Sequence, residues 1–414
     1  MVHELDVPAV RRRFPGLARR GDGRQAVFFD GPAGSQVPTS VADAMRDWLL
    51  HSNANHGGAF STSRATDAMV HDARAACADF LGASDPEEVV FGANMTTLTF
   101  WLARQLARTW RPGDEVVVTD SDHDANVMPW VLAARDAGCQ VRRIAVRPDT
   151  TLDLDDARAK IGPRTRLVAV GLASNLSGTI HPVAAIAAMA RAHDALTFVD
   201  AVHFAPHLRI DVRTLGADFL ACSAYKFFGP HVGLLWGRRA LLEATTVDKV
   251  RPSPDRGAEK WQTGTANFAG IAGTLAAVQY LERLGHEVGG GGSRSQALDA
   301  AFVAIERHEG VLAHRLLAGL AAIPGLRIVG IADPARAAER CPTISFVPAR
   351  IRPAALAEVL AQRHVHAWAG NSYAVALSQA LGLEPHGVLR LGLLHYNTGE
   401  EVDHVLDLLR SACR

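Results

Sequence analysis

The sequence predicts an α/β protein, with a large domain on a mostly parallel sheet and a smaller α+β domain at the C-terminal end. Three observations carry this. Short apolar runs alternate with helical patterns through the first two thirds of the chain, as in a parallel sheet covered on both faces. The 414 residues fit two to three domains at roughly 100–200 residues each. A glycine run, Gly289–Ser293, interrupts two helical patterns and reads as a flexible boundary or surface loop.

In chain order, Val89–Phe91 is a strand that enters the polar stretch Gly92–Thr97 and then an apolar helix. Glu115–Thr119 is a β-rich run after the turn at 111–114, and Leu167–Gly171 is another, ending in the polar turn Ser174–Gly178. The Ala-rich stretch Pro182–His193 reads as a helix, Leu196–Val199 as a strand closing at Asp200, and Asp218–Ala221 as the next strand. Helical patterns at Ile271–Leu284 and Gln296–Ile323 flank the glycine run. Thr343–Val347 and Leu389–Leu393 read as strands of the smaller domain and Glu400–Ala412 as a terminal helix. The expected division is 25–285 for the large domain, with 1–24 and 286–414 forming the small one.

Basic and acidic residues balance at 43 each. No electrostatic footprint for nucleic acid or an anionic membrane is expected. The first residues lack the apolar core of a signal peptide, and no run of about 18 apolar residues predicts a membrane span. Five scattered cysteines without paired or zinc spacing read as reduced thiols, so a cytoplasmic protein is expected. There is no GxGxxG after a strand, no GxxxxGK[ST], no HExxH and no GxSxG, which lowers the case for the enzymes those motifs mark.

Four lysines are available for amine chemistry: Lys160, Lys226, Lys249 and Lys260. Lys226 stands apart, between Tyr225 and Phe227. Apolar surroundings lower a lysine's pKa and make its amine nucleophilic, although the same context suits a lysine snorkelling from a strand end. Asp200 closes an apolar strand, where ligands of open α/β sheets bind, and equally suits a turn. Gly92–Thr97 offers amides at a helix start for a phosphate, as any N-cap does, and Ser223 could add a hydroxyl. His123, just past a strand, could stack on a flat ring; Asp122 and Asp124 beside it also admit a metal, without a second histidine to complete one. His203 and His207 are four apart, but Pro206 breaks the helix that would align them. Arg390 enters an apolar strand and suits either a substrate carboxylate or a structural ion pair.

Taken together, these residues resemble fold-type-I pyridoxal 5′-phosphate enzymes of the class V aminotransferase group, in particular cysteine desulfurase-like proteins. The resemblance runs from Arg13–Pro15 through Phe29–Ser35 to Tyr396–Thr398. It implies that Lys226 carries the cofactor as a Schiff base, Asp200 partners its pyridine nitrogen and His123 stacks on its ring. Asn94, Met95, Thr96 and Ser223 match the phosphate loop, and Asn175 a residue near cofactor and substrate. Thr265 matches a residue that reaches the neighbouring subunit's phosphate, which implies a homodimer with shared sites. Arg390 matches the substrate-carboxylate arginine, and the Asn55–Gly58 loop with His56 lies on the substrate side.

The departures narrow the chemistry. Tyr373 occupies the position of the desulfurases' reactive cysteine, Trp368 that of an arginine, His203 that of a glutamine and Tyr225 that of a histidine. A phenol cannot form a persulfide, which needs a thiolate. Cys222, close to Lys226, reads as a small core residue. The expectation is an enzyme acting at the α-carbon of an amino acid by β-elimination, of the C–S lyase type, without a persulfide. Class V transamination is the alternative, racemisation is left open, and a non-catalytic binding protein on the same fold is the alternative of another class. Tyr373, Trp368, His203 and His56 are expected to shape the substrate pocket.

Overall fold

The computed structural model describes residues 2–413. Its centre is a seven-stranded sheet: β1 Val89–Gly92, β2 Glu115–Thr119, β3 Gln140–Ile144, β4 Thr165–Gly171, β5 Leu196–Asp200, β6 Phe219–Ser223 and β7 Gly233–Gly237. They lie in the order β1-β7-β6-β5-β4-β2-β3. Five strands run parallel. β7 is antiparallel to both its neighbours. β2, β6 and β7 are buried at every residue, as continuous apolar runs are when helices cover both faces. Two large apolar clusters, one on each side, hold those helices.

The helices that matter for the site are α1 Thr39–His51, α2 Ser61–Leu81, α3 Met95–Ala107, α4 Phe268–Glu287 and α5 Arg294–Ala321. α2 stops where Gly82 takes a left-handed φ of 70°, a conformation that favours glycine. The glycine run forms the short link from α4 to α5, and Ser293 starts α5 with a capping box to Gln296.

A second sheet of four antiparallel strands is formed by β8 Leu326–Val329, β9 Thr343–Pro348, β10 Trp368–Gly370 and β11 Val388–Gly392, in the order β8-β9-β11-β10. It shares an apolar core with α5 and the terminal helix Gly399–Ala412. The chain near its start also joins this part: Val27–Phe28 pairs in parallel with Val365–His366, and Asp30 bridges Gly392. Among the described residues, no helix is long and apolar enough to cross a membrane.

Candidate active site

β1, β2, β4, β5 and β6 all end at one edge of the large sheet, and antiparallel β7 starts there. The loops at that edge, together with the residues that follow β10, enclose a cavity of about 890 Å³. Asn94, Met95, Thr96, His123, Asn175, Asp200, His203, Ser223, Tyr225, Lys226, Trp368, Tyr373 and Arg390 all line it. His56 and Thr265 are exposed and lie outside it.

Lys226 is 8% exposed. Its ammonium donates to the carbonyl of Pro32 and lies 5.1 Å from the Tyr225 ring centre. Burial first, then the nearby Arg390 charge, bring its pKa down to about 7, against a raising effect from Asp200. Lys260 is equally buried, but its ammonium is satisfied by the carbonyls of Leu242 and Glu243. Lys160 and Lys249 pair with Asp156 and Asp255.

Asp200 is pushed up to about 6 by burial, against the hydrogen bond from Val202 N–H and the Lys226 charge. Asp122 is pushed up to about 8 by burial and by Asp200. Its oxygens accept from the Gly171 amide at 2.8 Å and Asn126 Nδ2 at 3.2 Å. Asp122 was legible only as a metal candidate; its carboxyl in fact lines the cavity beside Asp200. Pro32, from the Phe29–Ser35 stretch, and His231, stacked on Tyr225 with ring centres 5.1 Å apart, are among the lining residues that sequence reasoning did not single out.

His123 is held as the neutral imidazole, at about 4, by burial and by the Lys226 and Arg390 charges. Its Nδ1 accepts from the Ala125 amide at 3.0 Å, so the ring proton sits on Nε2. Tyr373 stacks against it with ring centres 5.4 Å apart and planes 25° apart.

The anion-binding end is built at the start of α3. Asn94 Oδ1 caps the helix by accepting from Thr97 N–H at 2.8 Å, and Ser223 Oγ accepts from Met95 N–H at 2.9 Å. The Thr96 amide between them has no partner among the described residues. A helix N-terminus with such an amide favours a phosphate. Gly233 is required here, because a Cβ at that position would collide with the Asn94 backbone.

At the opposite end, Arg390 donates through Nη1 to the Asn175 carbonyl at 2.7 Å, and Asn175 Nδ2 donates to the Ser372 carbonyl at 2.7 Å. Arg390 Nε, Asn175 Oδ1 and His203 Nε2 are buried without a hydrogen-bond partner. His203 and His207 do meet, with ring centres 5.6 Å apart; a turn brings them together where a helix was thought necessary. His207 Nδ1 pairs with the buried Glu309 at 2.8 Å.

All five cysteines are unpaired, and among the described residues none lines the cavity. The Cys222 thiol is pushed well above its ordinary range by burial and by nearby Cys77 and Asp200, so it stays protonated.

A low-pKa lysine amine, a buried acid, a neutral imidazole, an open anion cup and orphaned polar atoms around one cavity have the donor set of pyridoxal 5′-phosphate, and the residues fit that group. The fold and this site define a pyridoxal-phosphate-dependent enzyme of the fold-type-I class. The class V aminotransferase profile ("Aminotransferase class-V") matches residues 27–405, and the chain belongs to that family. It is similar to a probable cysteine desulfurase of Streptomyces coelicolor, with 31% identity over 97% of this chain and 96% of that protein. A probable cysteine desulfurase of Mycolicibacterium paratuberculosis is 32% identical, but the chain spans only 58% of its length, and 63% of a cysteine desulfurase of Synechococcus elongatus at 32% identity. Among solved structures, the apo cysteine desulfurase of Thermococcus onnurineus superposes with a TM-score of 0.89 at 27% identity, covering 100% of this chain and 99% of that one. A cysteine desulfurase of Escherichia coli gives 0.83 at 27% identity, with coverage of 99% and 98%.

Proposed function

We propose that this protein acts at the α-carbon of an amino acid and eliminates a β-substituent, of the C–S lyase type, without a persulfide intermediate. The observation that carries this reading is the phenol of Tyr373 beside His123 at the mouth of the cavity, with every cysteine elsewhere. A reactive sulfur has no place to be held.

In this reading the free Thr96 amide at the start of α3 and the Ser223 hydroxyl would hold the phosphate, His123 would cover the ring and Asp200 would face its nitrogen. His203 would face the ring's phenolic oxygen, and Tyr225 would add a phenol to the phosphate contacts. When bound, pyridoxal phosphate supplies an electron sink for negative charge at the α-carbon. Arg390 orients the substrate carboxylate with planar, charge-assisted hydrogen bonds. Lys226 takes the α-proton, and a free amine poised near neutral pH is suited to that general-base role. The β-substituent leaves with its electron pair; with cysteine, water uptake completes pyruvate, ammonia and sulfide.

Transamination is the alternative that the family description favours. A binding-only role is disfavoured by the intact set of Lys226, Asp200, His123 and Arg390. We further propose a cytoplasmic homodimer in which Thr265 and the His56 loop serve the neighbouring subunit's site; their exposure in the single chain supports this. The division into 25–285 against 1–24 with 286–414 remains part of the same proposal.

Product analysis with L-cysteine tests the reaction. Pyruvate with free sulfide is the expected result. Alanine with transferable sulfur would refute it.

A further inference from the structure

Arg390 on β11 is the register partner of Trp368 on β10. Residues directly opposite on antiparallel strands place their side chains on the same face, with Cβ atoms about 4.5–5.5 Å apart. An amino acid held by its carboxylate at Arg390 therefore lies beside the Trp368 indole. That indole is 53% exposed and lines the cavity.

The second aromatic wall is Tyr373, 71% exposed. Its backbone and that of Ser372 have φ of 62° and 52°, a region in which a non-glycine residue is strained. Three hydrogen bonds hold the turn there. Tyr373 N–H donates to Asn371 Oδ1 at 3.1 Å, Asn175 Nδ2 donates to the Ser372 carbonyl at 2.7 Å, and Asp124 N–H donates to the Tyr373 carbonyl at 2.8 Å. Strain maintained by surrounding contacts is a mark of functional placement. Here it fixes an exposed phenol against the His123 ring, in the cavity that Arg390 also lines. From Trp368 to Tyr373 the wall carries no charged side chain.

We propose that this wall is the side-chain subsite, and that it takes amino acids with an aromatic or bulky apolar side chain rather than small or anionic ones. This rests on the reading above that Arg390 holds an amino-acid carboxylate. Two ring faces supply stacking partners, and an acidic side chain there would lose water without gaining a cation.

The test is a titration of the cofactor-loaded protein with L-phenylalanine, S-benzyl-L-cysteine, L-cysteine and L-aspartate, read as the dissociation constant from the cofactor's absorbance change. The two ring-bearing amino acids are expected to bind at least tenfold more tightly than the other two. Trp368→Ala and Tyr373→Ala are expected to bring the ratio close to one, while Tyr373→Phe, which keeps the ring, retains it. Cysteine or aspartate binding as tightly as phenylalanine overturns the proposal, as does a preference that survives both alanine variants. L-phenylalanine has no leaving group, so binding is scored apart from reaction. Tight binding of both ring-bearing compounds, with no pyruvate from S-benzyl-L-cysteine, upholds the subsite and refutes elimination. No response to any amino acid overturns both.

Discussion

Lys226 should titrate near neutrality. With its pKa lowered to about 7, about half of the amine is free at pH 7, against roughly one part in 2,500 for a lysine near 10.4. The perturbation is pH itself, applied to cofactor-free protein. The assay is modification of Lys226 by a neutral amine-acetylating reagent, quantified by peptide mass spectrometry. For a cation whose folded-state pKa is depressed, the reactive free amine is already dominant above about pH 7. Labelling should therefore level off above that point instead of rising tenfold per pH unit to pH 10. Charge-altering variants move the inflection in opposite directions. Arg390→Met removes a cation that depresses the pKa, so the midpoint rises. Asp200→Asn removes an anion that supports the ammonium, so the midpoint falls. A rate still climbing tenfold per unit between pH 8 and 10 would refute the account of Lys226.

Arg390→Ala should lower kcat/KM for α-amino acids by about 10- to 100-fold, the size expected for lost hydrogen bonds to a charged group; steady-state kinetics decide it. Gly233→Ala forces the Asn94 backbone to move, so the purified variant should retain much less cofactor, measured by its absorbance. His207→Ala removes the side-chain partner of the buried Glu309 and should destabilise the fold by about 1–3 kcal/mol, read by denaturant unfolding of the cofactor-free protein. Asn94→Ala removes the α3 cap, at about 1 kcal/mol, with a matching loss in cofactor affinity measured by titration.

Five strands of the large sheet were legible because they are short apolar runs closed by polar turns; the edge strand β3, which carries Arg142 and Arg143, and the antiparallel β7 were not. Glu115–Thr119 has the same bounds in the sequence reading and in the fold. Asp200, His123 and Lys226 were findable for the same reason, since each lies at or just past a strand end. What escaped depends on contacts between distant segments. Burial of Lys260 follows from how its turn packs against Leu242 and Glu243, which local polarity does not reveal. The meeting of His203 and His207 uses a turn geometry that helical spacing misses. Asp122 gains its raised pKa first from burial and then from Asp200, which β2 and β5 bring to the same edge. The facing of Trp368 and Arg390 is a strand register, and their separation of 22 positions along the chain gives no sign of it.

The two ends of the cavity are built on separate scaffolds. The anion cup, the lysine and the acids stand on loops of the seven-stranded sheet, whereas Trp368, Tyr373 and Arg390 belong to the four-stranded one. A change at Trp368 can thus reshape the apolar wall without touching the anion cup, whereas Tyr373, stacked on His123 and bonded to the Asp124 amide, is the joint at which the two scaffolds feel each other.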